Sequence, residues 1–463
     1  MSEERYTLDI ETLQKFDKPG PRYTSYPTAV EFHEGVGDAE YRAALTAANE
    51  DADGSLSAYI HIPFCRERCT FCGCHVIATS HIDIADKYLE YLAMEIDRVA
   101  EQLPNRRHLS QVHIGGGTPT YLSPQQLTKM WNHLTNRFPL LEGAEVGIEV
   151  DPRVTTLDHI DTLAGLGFNR LSMGVQDFTE DVQDAIGRHQ SFEQTAKVLE
   201  HGRKVGFEEG INVDLIYGLP RQSEKTFLEG LEKVGLLKPD RLAVYSFAYV
   251  PWIRGNQKKI ETTELPDADL KLKLYLSALR HFIGTGYEPI GMDHFALPED
   301  ELAQAQREGR LSRNFMGYTV KPTDTNLAFG VSSIGDVPAG YFQNVKKLST
   351  YYDQIDAGQL PIDRGVLLSE DDRLRRWVIT QVMCNFQVKK AEVAERFGVD
   401  FDSYFADALS GLDALEEAGF VERRQDALHV TDGGKLLVRN AAMVFDAYTG
   451  KRGKGRPTFS RTV

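Results

Sequence analysis

Four of the five cysteines in this 463-residue chain lie within ten residues, at Cys65, Cys69, Cys72 and Cys74. Thiolates spaced this closely can hold three corners of an iron–sulfur cubane and leave the fourth iron open, and Cys is the usual ligand of such clusters. Structural zinc sites usually combine two short Cys pairs from separated segments, and no second pair occurs here. The run therefore favours a [4Fe–4S] cluster, with a zinc site or a redox dithiol as the alternative. Cys384 is expected to be an ordinary buried thiol.

The charge balance narrows the range of partners. The chain carries 52 Lys and Arg against 68 Asp and Glu, a formal net charge of −16, whereas nucleic acids and anionic membranes require a basic surface. The acidic start, residues 1–16, does not resemble a secretory or transit peptide, and no apolar run reaches the length of a membrane span. Clustered cysteines in a chain of this size do not indicate a disulfide framework. We therefore expect a cytoplasmic protein, a monomer, without a nucleic-acid partner or membrane span.

Strands and amphipathic helices alternate between residue 57 and about residue 248. This βα repetition predicts a parallel sheet with right-handed crossovers. Six units fit a partial (β/α)6 barrel that is open on one side, although spacing alone does not exclude a doubly wound sheet. The predicted strands are 57–64, 111–116, 145–151, 170–176, 210–218 and 241–248.

Polar residues recur on one face of three of these strands, although buried parallel strands are usually apolar on both faces. This pattern predicts a barrel lumen that holds a polar ligand. The pairs are Tyr59 and His61, Glu149 and Asp151, and Asn212 and Asp214.

A glycine run, Gly115-Gly116-Gly117-Thr118-Pro119, follows the second predicted strand. Such runs often only form turns. After a strand of a βα barrel, however, the run lies at the rim where ligands bind, and glycines there let a ligand approach the backbone.

Outside the barrel the chain divides into an N-terminal arm with helices (1–52), the barrel (53–300), a barrel extension (301–365) and an accessory domain (366–463). The Pro- and Tyr-rich arm at 19–27 is expected to be a packing strap, with a lid or substrate clamp as the alternative.

The accessory domain is predicted to be mostly helical. A helix at 370–385 precedes a helix, hairpin and helix at 415–445 that resemble a winged-helix module. Without a basic recognition stripe we do not expect DNA binding, and we interpret the basic segment 451–457 as solvated.

Several strings resemble one family closely and nearly end to end. The C-x3-C-x2-C run followed by GGGTP is similar to the radical SAM (S-adenosylmethionine) superfamily. The fuller set resembles the oxygen-independent coproporphyrinogen III oxidases: PGPRYTSYPTA, YIHIPFCRERCTFCGC, IGGGTPTYL, IEVDPR, RLSMGVQDF, NVDLIYGLP, GMDHFA and LLVRNAAMVFD.

The resemblance implies a role for each matching residue. Cys65, Cys69 and Cys72 would bind the cluster, and the amino and carboxylate groups of SAM would chelate the open iron. Cys74 would not be a ligand but would be important for activity. The first SAM would contact Tyr59, Gly116, Glu149 and Ile334. A second SAM would lie near Phe71, Gly73, Gly117, Thr118, Gln176, Arg188, Asp214 and Ala248.

The resemblance also implies the reaction. An electron from the reduced cluster would cleave SAM to methionine and a 5′-deoxyadenosyl radical, which would take a β-hydrogen from a propionate of coproporphyrinogen III. Loss of CO2 and one electron would leave a vinyl group, and a second round would give protoporphyrinogen IX. The electron donor and acceptor are unidentified. Arg22 and Arg313 are candidate partners for substrate carboxylates. His61 would orient the substrate or relay a proton, or would be a hydrogen-bonded barrel histidine.

One position departs from the family pattern: Met316 stands where Gln is expected. This departure puts a polar substrate contact in doubt. Two alternatives share the scaffold, a heme chaperone and a radical SAM methyltransferase or heme-degrading enzyme. The chaperone relatives lack the fourth cysteine and typically the Pro- and Tyr-rich arm, and both features are present here.

Overall fold

The computed structural model describes residues 10–52, 54–207, 210–449 and 459–462. The first nine residues and the predicted solvated segment 451–457 lie outside these ranges. Its strands, numbered along the chain, are β1 (Leu56–Ile62), β2 (Phe64–Cys65), β3 (Ile77–Ala78), β4 (Leu109–Gly116), β5 (Leu140–Val150), β6 (Arg170–Gln176), β7 (Ile211–Tyr217), β8 (Arg241–Ser246), β9 (Glu288–Gly291), β10 (His294–Ala296), β11 (Ser312–Asn314), β12 (Gly317–Thr319), β13 (Thr325–Phe329), β14 (Ile334–Val337), β15 (Gly340–Asn344), β16 (Ile362–Leu367), β17 (Gln387–Lys389), β18 (Val421–Arg423) and β19 (Ala427–Val430).

No helix in the described ranges is both long enough and apolar enough to cross a membrane. The α-helices are α1 (Ile10–Phe16), α2 (Asp38–Ala48), α3 (Asp83–Gln102), α4 (Pro124–Arg137), α5 (Leu157–Gly165), α6 (Glu180–Ile186), α7 (Phe192–Val205), α8 (Glu224–Leu237), α9 (Ala268–Gly284), α10 (Glu301–Arg307), α11 (Leu348–Asp356), α12 (Glu370–Thr380), α13 (Lys390–Phe397), α14 (Phe401–Tyr404), α15 (Ala406–Leu409), α16 (Asp413–Glu417) and α17 (Val438–Met443).

The chain forms two compact units, each assembled from separate stretches. The larger unit comprises Phe32–Leu274 and Thr323–Leu367. The smaller unit comprises Met1–Glu31, Tyr275–Pro322 and Leu368–Val463. The four-segment division from the sequence stays a prediction.

The larger unit is built on a sheet with the strand order β16-β15-β14-β13-β1-β4-β5-β6-β7-β8. The strands from β13 to β8 pair in parallel. The prediction of six parallel strands with helical crossovers is therefore confirmed, and neighbouring crossover helices pack on one another. The sequence did not indicate that β13 returns beside β1, or that β14, β15 and β16 extend the sheet in antiparallel order.

Four of the crossover helices begin with the same local signal. Ser123, Thr156, Ser191 and Ser223 each accept a hydrogen bond from the backbone N–H three residues later, and the side chain at that later position binds back to the cap. Such reciprocal caps satisfy two otherwise unpaired donors at a helix N-terminus. The start of each helix is therefore encoded locally.

The alternation of side chains along the strands determines which residues face the lumen. In β6 the residues Leu171, Met173 and Val175 are buried, whereas the alternate positions are only partly buried. In β7, Asn212 and Asp214 are likewise the partly buried members of an otherwise buried strand. One sheet face therefore packs against the helices, and the other presents polar groups to the lumen, as predicted.

The C-terminal part of the smaller unit is mostly helical, as expected. The predicted hairpin is β18 and β19, which pair antiparallel, and β17 adds a third strand beside β19. Helices α13 to α16 precede the hairpin and α17 follows it. The predicted helix at 370–385 is α12 followed by one π-helical turn at Gln381–Asn385.

The Pro- and Tyr-rich arm is fastened within the smaller unit. The guanidinium of Arg439 donates to the backbone carbonyls of Pro21 at 3.0 Å and of Gly20. The Tyr23 hydroxyl donates to Asp446 at 3.0 Å, and the Tyr26 hydroxyl accepts from the Ala447 backbone N–H at 3.0 Å. These contacts favour a strap over a mobile lid for this segment.

Candidate active site

The cysteine loop follows β1 directly and is closed at its base. Strands β2 and β3 pair in parallel there, and the backbone N–H of Ile77 donates to the carbonyl of Pro63 at 2.7 Å. The Thr79 N–H donates to the Cys65 carbonyl at 2.9 Å. Residues 65–77 therefore form one anchored loop at the C-terminal end of a barrel strand, where parallel barrels bind their ligands.

The glycine run after β4 packs against the base of this loop. Backbone N–H groups of Gly117 and Thr118 donate to the carbonyls of Ile62 and Phe64, both at 2.8 Å. A Cβ on Gly117 would lie 2.7 Å from the Phe64 carbonyl oxygen, so any side chain would push the two segments apart. The run therefore serves the protein's own packing as well as any ligand.

The Cys69 thiol lies beside two arginines. Arg153 Nη2 is 3.8 Å and Arg188 Nη1 is 4.0 Å from the Cys69 sulfur. Both arginines also pair with Asp151, at 2.7 and 3.0 Å. Burial opposes ionisation of Asp151, but the charges of Arg188 and Arg153 outweigh it and lower the pKa of its carboxyl. The network thus holds two cationic groups next to the Cys69 sulfur, beside the buried carboxylate of Asp151.

The other thiols lie in different environments. Burial raises the pKa of Cys65 to about 11, although its sulfur is 3.3 Å from the Thr118 hydroxyl. A hydrogen bond between Cys72 and Cys74 lowers the pKa of Cys72 and raises that of Cys74. In this arrangement Cys74 is the thiol that donates to Cys72. Its role as a non-ligand stays a prediction.

Two amide side chains hold the cysteine loop from the 250–260 segment. Asn256 Nδ2 donates to the carbonyls of Cys69, Thr70 and Cys72 at 3.1, 2.9 and 3.0 Å. Gln257 Nε2 donates to the Phe71 carbonyl at 3.0 Å. We call Asn256 and Gln257 the amide clamp.

A second function of the clamp is to fix its own segment. Gln257 Nε2 also donates to the Ala248 carbonyl at 3.1 Å, and its Oε1 accepts from the Val250 N–H at 2.6 Å. Sequence reasoning missed the clamp, because an Asn-Gln pair in a polar connection carries no motif.

Tyr59 and His61 lie in the lumen and hydrogen-bond to each other at 3.1 Å, between the Tyr59 hydroxyl and His61 Nδ1. His61 Nε2 lies 3.0 Å from the His75 carbonyl, which only accepts, so Nε2 carries the proton and Nδ1 accepts. Burial lowers the pKa of His61 to about 4, so the ring is neutral near pH 7. Both ring nitrogens have partners, which supports a positioning role; the catalytic role stays a prediction.

Glu149 presents a carboxylate to the lumen. One oxygen accepts from the Gly116 backbone N–H at 3.1 Å, and the other lies 3.3 Å from His113 Nε2. Burial raises its pKa, but His113 and the Gly116 hydrogen bond outweigh this effect, and the net pKa is lowered. An ionised carboxylate in the lumen suits an ammonium group or ribose hydroxyls.

The strands β6 and β7 complete the polar wall. Asn212 Nδ2 bridges Ser172 and Asp214 at 2.9 and 2.8 Å. Gln176 ends β6 with a backbone φ of +71°, a conformation that costs free energy in residues other than glycine. Arg188 is buried, and its Nη2 donates to the Gly174 carbonyl at 2.6 Å.

These side chains surround one cavity of about 300 Å³. Its lining includes most of the predicted site residues: Cys65, Cys69, Phe71, Cys72, Cys74, Gly116, Gly117, Thr118, Glu149, Gln176, Arg188 and Asp214. The lining does not include Tyr59, His61, Gly73, Ala248 and Ile334. Of these, Gly73 lies in the cysteine loop, and Ile334 begins β14 opposite Gln343.

The residues present fit an iron–sulfur cluster. Four thiols of one anchored loop line one cavity, the three predicted ligands and Cys74, and Arg153 and Arg188 lie beside the Cys69 sulfur. Within the described ranges, no three Cys, His, Asp or Glu side chains converge as the ligands of a single metal ion would. Cys65, Cys69 and Cys72 therefore remain the predicted cluster ligands.

The two arginines proposed for substrate binding lie together in the smaller unit. Arg22 forms an ion pair with Asp293. Arg313 Nη1 donates to the Arg22 carbonyl at 2.6 Å, and its guanidinium lies 5.2 Å from the ring centre of Tyr318. Met316 lies in the turn between β11 and β12, with its N–H bound to Asn314 Oδ1 at 2.9 Å. Arg22 thus already compensates one carboxylate, and its predicted role is not tested by this geometry.

Comparison with known protein families gives independent evidence on this chain. Residues 59–234 match the family model of the radical SAM superfamily, and residues 368–437 match that of the HemN C-terminal domain. Oxygen-independent coproporphyrinogen III oxidases from Synechocystis and from Salmonella typhimurium are both 44% identical to this chain. The alignments cover 98% and 100% of it, and the same shares of those proteins.

A solved structure is similar over almost the whole chain. The coproporphyrinogen III oxidase from Escherichia coli, described as a radical SAM enzyme, superimposes with a TM-score of 0.91 at 42% identity. The match covers 96% of this chain and 100% of that one.

Proposed function

Because the chain belongs to the family of oxygen-independent coproporphyrinogen III oxidases, we propose that it decarboxylates two propionate side chains of coproporphyrinogen III to vinyl groups. The product would be protoporphyrinogen IX, in porphyrin and heme biosynthesis. Each round removes one hydrogen atom, one CO2 and one electron from a propionate. The observation that carries the proposal is the meeting of the cysteine loop, the glycine run and Glu149 at one cavity.

As a radical SAM enzyme the protein uses a [4Fe–4S] cluster and SAM. The cluster and SAM together supply a 5′-deoxyadenosyl radical that can abstract hydrogen from an unactivated carbon. Cys65, Cys69 and Cys72 would hold the cluster. Glu149 would bind a polar group of SAM, because it is an ionised acceptor directly beside the glycine run.

The protein's remaining contribution is positioning. Tyr59 and neutral His61 would orient the reacting propionate or relay a proton, since their hydrogen bonds define one tautomer. Cys74 would support Cys72 as a thiol donor. Gly116 and Ile334 complete the proposed first SAM site with Tyr59 and Glu149.

A second SAM is part of the proposal. Its site would comprise Phe71, Gly73, Gly117, Thr118, Gln176, Arg188, Asp214 and Ala248. Most of these residues line the same cavity as the cysteines, which supports their grouping. We further propose a cytoplasmic monomer. An unidentified reductant would supply the electron that is consumed in cleaving SAM, and an unidentified acceptor would take the electron that the substrate loses with CO2.

The deciding experiment is anaerobic incubation of the reconstituted protein with SAM, a reductant and coproporphyrinogen III. Stepwise formation of mono- and divinyl products, with 5′-deoxyadenosine released, is expected by mass spectrometry. Cleavage of SAM without a vinyl product would reject the oxidase assignment and leave the superfamily alone. Transfer of bound heme without SAM cleavage would favour the chaperone alternative, and a methylated product would favour the methyltransferase.

The ligand assignment has a matched control within the chain. Cys65→Ser is expected to lose cluster iron and all product formation, because a serine oxygen is a poor cluster ligand. Cys384→Ala removes a buried thiol of the smaller unit and should keep the iron. Full iron and activity in Cys65→Ser would contradict the assignment.

A further inference from the structure

Several cations around the cysteine loop form no salt bridge in the described part of the chain. Three of them, Arg68, Arg254 and Lys346, come from three different segments, and we call these three the loop cations. Other arginines of the barrel, such as Arg153, Arg188 and Arg221, are paired with carboxylates.

The loop cations come from three separate segments, the cysteine loop itself and two segments that lie beside it. Arg68 belongs to the loop, and its Nη2 is 3.5 Å from the Cys74 carbonyl. Arg254 lies two residues before Asn256, which donates to the Cys72 carbonyl at 3.0 Å. The backbone of Lys346 lies beside the ring of His75, a residue of the loop, and raises its pKa. All three cations therefore adjoin the loop.

The loop cations lie close enough together to affect the pKa of the same neighbouring groups. Burial lowers the pKa of Lys346, and the charges of Arg364 and Arg254 lower it further, with Asp363 opposing them. The pKa of His75 is lowered by burial and also by Arg254, Lys346 and Arg68. Cations from three segments that face the same loop attract an anion between them, so a binding function would explain the arrangement.

An apolar surface adjoins Arg254. Trp252 and Ile253, the two residues before it, are 45% and 55% exposed. An exposed aromatic beside a group of cations matches a ligand with a broad apolar body and anionic ends. Coproporphyrinogen III has this chemistry, with pyrrole rings and four propionates.

We propose that the loop cations bind carboxylates of the substrate's propionate side chains at the rim of the cluster site. This inference rests on the proposed function. The reacting propionate loses its carboxyl group as CO2. The loop cations therefore hold the carboxylates of other propionates, which are retained during that round. Arginine and lysine bind carboxylates through charge-assisted hydrogen bonds, which are stronger than neutral ones.

The test measures binding separately from turnover. Coproporphyrin III, the air-stable oxidised macrocycle, is titrated into the anaerobic holoenzyme and followed by its fluorescence. The neutral tetra-amide of the same macrocycle is the charge-free probe. We expect Lys346→Ala, Arg254→Ala and Arg68→Ala each to raise the Kd for the acid about three- to ten-fold, and the triple variant at least about thirty-fold. Affinity for the tetra-amide should stay unchanged.

Lys347→Ala is the matched control, because Lys347 is an exposed lysine at the next position in the chain. This variant should bind both probes like the wild type. Iron content and the visible spectrum of each variant report whether the cluster site is intact. Equal affinity of the triple variant and the wild type for the acid would overturn the inference. An equal loss for acid and tetra-amide would also overturn it, because that result indicates distortion of the site rather than lost charge.

The outcome stays distinguishable from that of the proposed function. A wild-type protein that forms no vinyl product but binds the acid through the loop cations would refute the oxidase assignment and keep the carboxylate site. Normal vinyl formation by the wild type, together with unchanged binding of the acid in the variants, would refute the carboxylate site and keep the oxidase assignment.

Discussion

At the residue scale, the site depends on side chains that hold the cysteine loop in place as well as on the cysteines. The two N–H groups of Asn256 are shared among three loop carbonyls, and Arg153 and Arg188 lie against the Cys69 sulfur. Three carbonyls that turn toward one amide leave the loop's conformation tightly specified. A small change at Asn256 should therefore act on the cluster without touching a ligand.

We predict that Asn256→Ala makes the cluster labile. Loss of the amide leaves buried carbonyls unpaired, at a cost of about 1–3 kcal/mol, so iron removal by a chelator should be roughly ten-fold faster. The measurement is anaerobic bleaching of the cluster absorbance. Asn136→Ala, an exposed Asn of α4, is the control. A variant that bleaches at the wild-type rate would show that the clamp does not stabilise the loop.

His61 gives a prediction on pH. Its pKa is about 4 in the folded protein against an ordinary value of 6.5, so the unfolded chain binds more protons between these values. The contribution of neutral His61 to the free energy of unfolding has its full value above about pH 6.5. It decreases as the pH falls from 6.5 and is lost once the pH has fallen through about 4. Between pH 7 and pH 5 the loss is about 2 kcal/mol.

The melting temperature of the wild type should therefore fall more between pH 7 and pH 5 than that of His61→Asn, which has no titrating ring. His189→Asn serves as the control, because that side chain is 69% exposed. Identical pH dependence in the wild type and His61→Asn would contradict the assigned burial.

At the element scale, helix α3 connects β1 with the returning part of the sheet. Tyr88 donates to the His61 carbonyl at 2.7 Å and accepts from the Val331 N–H at 3.2 Å. Two turns later on the same face, the Glu95 carboxyl accepts from the Gly330 N–H at 2.8 Å. This helix thereby fixes the loop between β13 and β14, and with it the predicted SAM residue Ile334.

Glu95 is the buried centre of that connection, because it also accepts from Asn344 and from the Tyr351 hydroxyl, both at 2.6 Å. Glu95→Ala would leave three buried donors unpaired and should lower the stability by about 3 kcal/mol or more. Thermal unfolding of the wild type, Glu95→Ala and the exposed control Glu101→Ala measures the difference. Equal melting temperatures for both variants would refute the role.

At the scale of the whole molecule, the two ends of the described chain meet within the smaller unit. Pro19 and Arg461 form a β-bridge, and the Gly20 N–H donates to the Ser460 carbonyl at 3.0 Å. Arg439 lies between these segments and binds carbonyls of both, with Arg461 at 2.6 Å. The arm therefore depends on the C-terminal segment for its position.

We predict that Arg439→Ala frees the arm. Amide exchange at residues 18–27 should become at least about ten-fold faster, since the backbone loses its shared partner. Hydrogen–deuterium exchange with mass spectrometry measures this, and Arg424→Ala is the control because Arg424 is exposed and pairs with Glu422. Unchanged exchange in the arm of Arg439→Ala would mean that the tyrosine contacts suffice.

Part of this protein follows from local patterns in the chain. The spacing of Cys65, Cys69 and Cys72, the polar pairs that begin with Tyr59, Glu149 and Asn212, and the alternation of strands with amphipathic helices are short-range signals. Steric and hydrogen-bonding rules act on such signals within a few residues, so the parallel sheet, the helices and the thiolate loop could be predicted.

Only the tertiary structure decided the rest, because those relations join residues far apart in sequence. The pairing of β13 with β1, the amide clamp on the cysteine loop and the unpaired loop cations depend on which segments the fold brings together. The glycine run shows the difference clearly. Its place after β4 was readable from the chain, whereas the 2.7 Å approach of Gly117 to the Phe64 carbonyl arises only once two strands pack side by side.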